Sequence, residues 1–336
     1  MSTLFWPHTQ NRDMASFRLR CLRVIDELDD LRADVGLYRN GDKPENLVLS
    51  KRYDSSSVQK AIELKEKYGT KLYLDLCDNH FYYENPKPKA VQRAADLRKA
   101  IAAVDVVVVS TQYLAQVIRD EMGSSIPVVV IGDLVEAPSI ATTSDRVRNL
   151  LPYLKYLELR KRLSNIGVEK EQRLVWFGDH GNNYVSGGMN DIQSIYVYLE
   201  SMSKTQSISL TVVSNSRKKY RSLTRAWPFP TFYLSWHRTF FSEVLLLHGI
   251  ALIPIQKNPF TEAKTDNRVM TSLMHGLDVF VDEIDSYLDL ADRIYINRWE
   301  ELGRRICVER SQTSFQQYSR DINAGVLAKW RKVLGG

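Results

Sequence analysis

The chain has 336 residues, 44% of them hydrophobic and 26% charged, and carries a formal net charge of +6. That composition excludes disordered and fibrous classes, and the length exceeds what one ordinary core organises, so two domains are expected. The basic balance admits an anionic partner, whether nucleic acid, a phosphorylated small molecule or an acidic membrane surface, without choosing among them.

The opening MSTLFWPHTQNRD lacks the basic start and long apolar stretch of a signal peptide. Short apolar runs then alternate with helical patterns: TLFWPH, VGLYR, NLVLSK, KLYLDLC, DVVVVST and PVVVIGD are strands, and 15–33, 55–68, 88–103 and 112–122 are helices between them. In the first helix Phe17, Cys21, Val24, Ile25, Leu28 and Leu31 recur at helical spacing. Strands apolar almost throughout are buried on both faces, which implies a parallel sheet covered by helices. Residues 141–172 break the pattern with a Ser/Thr-rich passage and a charged helix, read as an interdomain linker. The alternation restarts with RLVWFGD, ISLTVVS, TFYLSW, IALIPIQ and LDVFVDE, with helices near 189–204, 238–248 and 266–275. The expected fold is α/β, with two Rossmann-like doubly wound domains at 1–140 and 173–312 facing a central cleft, and a helical tail at 313–336.

The most apolar window, FFSEVLLLHGIALIPI, is interrupted by Glu243, His248 and Gly249, and a membrane span takes about 20 largely apolar residues. Cys21, Cys77 and Cys307 are far apart and show no CxxC spacing, so neither a zinc site nor a disulfide framework is suggested. The expectation is a cytoplasmic protein with at most a peripheral contact at the inner face of the membrane.

Ligands of open α/β sheets bind beyond the carboxyl ends of the strands, so the loops that follow strands are the place to look. After the first strand neither a dinucleotide G-x-G-x-x-G nor a phosphate loop is present; instead come His8, Arg18 and Arg20, either a solvated helix face or a ligand-facing group with Arg18 foremost. After KLYLDLC stand Asp78, Asn79 and His80, where a carboxylate and an imidazole could act as general base or grip hydroxyls; the alternative is a turn in which Asp78 caps amides. Ser110 and Thr111 after DVVVV are acceptor-side candidates or helix caps. In the second half, VWFGDHGNNYVSGGMNDI places Gly178, Asp179, His180 and Gly181 after a strand, with glycines that let backbone approach a phosphate or sugar. Ser214 and Asn215 follow the next strand, ahead of a basic cluster.

The loop KNPFTEAKTDN is longer than the roughly two to six residues usual in such units. Thr265 or Asp266 is expected to cap the next helix, Val269, Met270 and Leu273 to form its buried face, and Gly276 to end it in the left-handed conformation. Lys264, Asn267 and Arg268 then gather at a helix start, where cations are unfavourable unless an anion meets them. A diphosphate suits such a site; a surface pairing of these cations with Glu262 or Asp266 is the alternative.

Taken together, the tandem Rossmann-like domains, DVVVVSTQYLAQVI…VVVIGD closing the first, VWFGDHG opening the second, and IALIPI…KTDNRVMTSLMHGLDVFV near its end resemble GT-B fold glycosyltransferases. The nearest resemblance is to the retaining, nucleotide-sugar-dependent group called family 4 or group 1. It extends over nearly the whole chain as an order of elements, with its specific motifs at 173–181 and 250–281.

The resemblance implies a nucleoside-diphosphate-sugar donor on the second domain and a carbohydrate, lipid-linked or other hydroxyl acceptor on the first. It also implies no metal, because protein cations and helix termini neutralise the diphosphate. Gly178, Asp179, His180, Gly181, Ser214, Asn215, Glu262, Lys264, Asn267 and Arg268 would serve the donor, and His80 or Asp78 would orient the sugar or acceptor. The chain departs from the family pattern at Ala263 and Thr271, where glutamates are usual, and at Asp278, where proline is usual. A non-catalytic sugar-nucleotide-binding or scaffold member is therefore the second reading. Nucleic-acid binding lacks its expected platform of aromatics interleaved with Lys and Arg.

Overall fold

The computed structural model describes residues 2–29, 34–123, 125–181, 185–303 and 312–335; Leu31, Cys307 and loop positions 182–184 lie outside the described residues. The chain divides into two compact units. The first comprises Met1–Glu136, Glu262–Thr265 and Tyr318–Gly336, and the second Ala137–Thr261 and Asp266–Gln317.

In the first unit β1 (Thr3–Pro7), β2 (Val35–Leu37), β3 (Asn46–Ser50), β4 (Lys71–Leu76), β5 (Val106–Val109) and β6 (Val128–Val130) form one sheet in the order β2-β1-β3-β4-β5-β6. Every pairing is parallel. The central strand β3 is buried along its whole length while the edges β2 and β6 are half-buried, as the apolar runs require of a covered parallel sheet. Pro7 pairs with Ser50 and Ser50 with Asp75, so β1, β3 and β4 end level and release their following residues together. One face of this sheet packs Phe5, Val48 and Tyr73 against Phe17 and Cys21 and against Trp330 of the C-terminal helix Gln312–Leu334. Trp330 meets the Phe5 ring edge-on at 5.6 Å.

The second unit repeats the plan with β7 (Arg173–Phe177), β8 (Ser209–Ser214), β9 (Thr231–Ser235), β10 (Ile250–Ile253), β11 (Asp278–Val281) and β12 (Tyr295–Ile296) in the order β12-β11-β10-β7-β8-β9, again all parallel. The sequence reading misses β12, which has two residues, and the helix Arg217–Thr224 inside the basic cluster. The helix expected near 189–204 begins as a 3-10 segment, Gly188–Ile195, before the α-helix Tyr196–Thr205. Among the described residues no helix is long and apolar enough to cross a membrane.

Arg20 corrects the expectation of a solvated or ligand-facing basic helix face. It lies in a π-helical turn, Arg18–Leu22, and its side chain is 2% exposed. Its Nη2 donates to Asp75 Oδ1 at 2.5 Å, and its Nη1 donates to Asp133 Oδ1 and to the Ile131 carbonyl, both at 2.9 Å. Asp75 also accepts from Ser50 Oγ at 2.9 Å. Removing one partner of a buried ion cluster leaves uncompensated charge, at a cost of about 3–5 kcal/mol. Arg20→Met fills the same space and strands both carboxylates, so urea unfolding should show a loss of that size; a loss below about 1 kcal/mol would mean the cluster is dispensable.

Candidate active site

In the first unit the residues released by β1, β3 and β4 converge. Asp78, 13% exposed, is the acceptor of two ion pairs: Lys51 reaches its Oδ2 and Lys264 its Oδ1. Burial works against ionisation of Asp78, but Lys264 and Lys51 override it and hold the carboxyl well below its ordinary range. Lys51 adopts a left-handed backbone with φ of 51°, a conformation that costs a non-glycine residue about 1 kcal/mol or more and turns its amine toward Asp78.

His80 is 12% exposed; its Nδ1 is 2.5 Å from the Tyr53 hydroxyl and its Nε2 4.0 Å from Asp78 Oδ2. Burial, reinforced by Lys51, Arg93 and Lys264, lowers its pKa to about 3 despite the pull of Asp78. The Tyr53 phenol is pushed up, chiefly by burial, and so stays protonated. A protonated phenol donating to Nδ1 leaves the imidazole proton on Nε2, which makes His80 a neutral hydrogen-bond donor, suited to gripping a hydroxyl. Asp78, held by two ammonium groups, is an electrostatic anchor.

In the second unit the loop after β7 is stitched to the end of β8. Ser214 Oγ donates to the Gly178 carbonyl at 2.7 Å, Asn215 Nδ2 to Asp179 Oδ2 at 2.6 Å, and the His180 amide to Asn215 Oδ1 at 2.9 Å. Lys219 Nζ closes the turn on the His180 carbonyl at 2.5 Å. Gly181 and Gly188, both with positive φ, lie against each other: a Cβ on Gly188 would sit 2.6 Å from the Gly181 nitrogen. Only glycine permits that approach.

Arg268, second residue of the helix Asn267–Met274, brings its Nη1 within 3.4 Å of where a Gly178 Cβ would be. Close by in charge, Asp191 is 6% exposed and accepts from the Gly188 amide at 3.0 Å; burial raises its carboxyl to about 6 against the pull of Arg268. The helix has Asp266 at its N-cap but no side-chain cap bond and no acidic residue in its first turn, and Gly276 follows it with φ of 74°. The Asp266 side chain therefore does not cap this helix start, which carries the Arg268 guanidinium.

The candidates named from the sequence separate accordingly. His8, Asp78, His80 and Lys264 belong to the first site; Gly178, Asp179, His180, Gly181, Ser214, Asn215, Asn267 and Arg268 to the second unit. Lys264 pairs with Asp78. Thr265 does not cap the helix, since its hydroxyl donates to Asp133 Oδ2 at 2.8 Å. Arg18 is ion-paired with Glu136 at 2.7 Å. Thr111 is the N-cap of the helix Gln112–Met122 and accepts from the Leu114 amide at 3.1 Å, while Ser110 is buried. Lys51, Tyr53 and Asp191 escaped the sequence reading. The first two follow the apolar strand NLVLS, so the rule of inspecting loops after strands would have found them.

No protein-family model matches the chain, and no curated protein sequence does. Solved structures do. The Anabaena protein HepE, in complex with UDP and glucose, superposes with a TM-score of 0.62 at 12% identity, over 98% of this chain and 99% of that one. The pneumococcal O-GlcNAc transferase GtfA, in complex with UDP and GlcNAc, gives 0.54 at 10% identity over 93% and 59%. Staphylococcus aureus TarM, in complex with UDP among other ligands, gives 0.55 at 11% identity over 93% and 58%. The fold is GT-B.

Within this GT-B chain each unit carries polar groups at the carboxyl ends of its own strands, and the neutral state of His80 has a measurable consequence. Its folded pKa is near 3 against an ordinary 6.5, so on acidification the unfolded chain takes up a proton that the folded one refuses. The stability from this group is complete above about pH 6.5 and is lost as pH falls toward about 3. Between about pH 7 and pH 4.5 the wild type should lose about 2 kcal/mol more than His80→Asn, read by urea unfolding at both values. Equal losses would show that His80 ionises freely in the folded protein.

Proposed function

We propose that the protein transfers a sugar from a nucleoside-diphosphate sugar, with UDP as the nucleotide, to a hydroxyl acceptor. The observation that carries this is the guanidinium of Arg268 at Gly178, at the start of the helix Asn267–Met274. A helix N-terminus and a cation together favour a diphosphate, and the GT-B neighbours named above are complexes with UDP. In this reading the Gly178–Gly181 turn, Ser214 and Asn215 shape the donor site, Arg268 neutralises the departing diphosphate without a metal, and His80 Nε2–H grips a hydroxyl of the sugar or acceptor. The acceptor oxygen bonds to the anomeric carbon as the bond from that carbon to the diphosphate breaks. In the retaining course we favour, the acceptor proton leaves with the diphosphate.

Lys264 does not join Arg268 in this proposal, because its amine is engaged by Asp78. The family 4 assignment within this proposal rests on the sequence resemblance at 173–181 and 250–281.

Arg268→Ala should weaken UDP by about tenfold or more, the worth of a charge-assisted hydrogen bond, as measured by calorimetry. Unchanged affinity would remove the diphosphate from this site. UDP release from a panel of UDP-sugars then separates an active transferase from a non-catalytic binding member, which would bind but not turn over.

We also assign the peripheral membrane contact, within this proposal, to the segment around the helix Leu150–Asn165. Leu150, Leu151 and Leu154 are each at least half exposed at the spacing of one helical face, as is Val147 in the preceding helix Thr143–Arg148, beside exposed Arg148 and Lys155. An apolar stripe flanked by cations suits an acidic lipid surface. Vesicles containing phosphatidylserine should sediment the wild type and release Leu151→Glu/Leu154→Glu; equal sedimentation of the two would exclude this face.

A further inference from the structure

Asp191 is a buried acid set under the glycine turn of the second unit. It lies in the 3-10 segment Gly188–Ile195, and its Oδ2 accepts from the Gly188 amide at 3.0 Å. A Cβ on Gly187 would sit 3.7 Å from the same oxygen, so the carboxyl lies against the backbone that meets Gly181. A carboxylate that only capped the segment would need one oxygen and could keep the other in water. Here the side chain is buried, and Oδ1 has no hydrogen-bond partner among the described residues. An ionised carboxylate with one bare buried oxygen is unfavourable, and a proton on that oxygen removes the charge.

Two charged groups act on Asp191 most strongly. Arg268, from the helix Asn267–Met274, stabilises its anion, with smaller help from the Gly188 and Gln256 amides. Asp282, just beyond β11, opposes it. Asp282 is itself held by neutral donors, the Ile255 amide at 2.8 Å and Trp299 Nε1 at 2.7 Å. Burial outweighs Arg268 and brings the Asp191 carboxyl to about 6. Arg268 also reaches Gly178, so one guanidinium serves both the buried acid and whatever anion the turn receives.

A diphosphate at Arg268 upsets this balance. It brings two negative charges to the cation on which the Asp191 anion depends, and a like charge disfavours ionisation. We propose that the nucleoside-diphosphate donor binds together with a proton, which Asp191 takes up. The inference rests on the diphosphate reading of Arg268 and adds a residue that reading did not use. Near pH 7 the free carboxyl is mostly ionised and the bound one is not. Affinity is therefore highest below about pH 6, where the proton is already in place, and falls as pH rises. Asp191 sets the charge of the donor site without needing to touch the ligand.

The test is calorimetric titration with UDP-glucose, whose diester diphosphate does not titrate near neutrality. Titrations at pH 7 in buffers of differing ionisation enthalpy count the protons, and titrations at pH 6 and pH 8 follow the affinity. The wild type should take up more than about half a proton and lose about tenfold or more in affinity from pH 6 to pH 8. Asp191→Asn, neutral at every pH, should take up less than about a tenth of a proton and bind at pH 8 within about threefold of wild type at pH 6. Protons taken up by Asp179 or His180 in the exposed turn would persist in that variant, so equal uptake in the two proteins overturns the proposal. A purely structural cap would lower the melting temperature of the variant and leave the proton count unchanged. If Asp191→Asn does not fold, Asp191→Ser, which keeps an oxygen for the Gly188 amide, takes its place. Binding by the wild type without proton uptake overturns this proposal alone and leaves the transferase reading standing. No binding of UDP-glucose removes both.

Discussion

The buried guanidinium of Arg20 holds the first unit's candidate site in register. It joins Asp75 at the end of β4 to Asp133 beyond β6, and Asp75 in turn takes the Ser50 hydroxyl at the end of β3. Lys51 follows Ser50 directly and Asp78 lies three residues after Asp75, so the geometry of that lysine–carboxylate pair is inherited from the cluster beneath it. Asp133 extends the same network to Thr265, one residue from Lys264. A charge cluster of this kind contributes little net stability over an apolar filling but fixes which groups face one another; here it aligns three strand ends and an incoming loop.

The two units reach order at their strand ends by different chemistry. The first relies on charge: two lysines on one carboxylate, with an imidazole kept neutral by burial and by the cations around it. The second relies on the absence of side chains, with Gly181 and Gly188 in close backbone approach and a run of amide and hydroxyl bonds from Ser214 and Asn215. A carboxylate-rich site would repel a diphosphate, whereas a backbone turn with a single guanidinium does not. Two carboxylates stand at this turn: Asp179, which accepts from Asn215 Nδ2 and the Gly181 amide, and Asp191, whose pKa burial raises toward the neutral form.

Most of the architecture was legible because parallel strands covered on both faces read as unbroken apolar runs, as VVVV of β5 does. A two-residue strand such as Tyr295–Ile296 has no periodicity to read, and the helix RKKYRSLT hides behind its charges. Loops after strands led to Asp78, His80 and Gly178, since topology alone places them. The partner of Lys264 was not accessible, because Asp78 is 186 residues away and a single sequence contains no record of that proximity. Arg20 could have been recognised: three residues after Phe17 and four before Val24, it falls on the apolar stripe of its helix, where a charged group implies a buried counter-charge.

The course of the chain through the two units has a consequence for dissection. The backbone leaves the first unit after Glu136, returns for Glu262–Thr265, leaves again, and comes back at Tyr318. No single cut separates the halves. A fragment ending at residue 136 would lack Lys264, leaving Asp78 with one of its two ammonium partners, and would lack Trp330, baring the face of Phe5 that it covers. The units are interleaved covalently, so swapping the first of them between related proteins requires exchanging three separate stretches of chain at once, and swapping the second requires two.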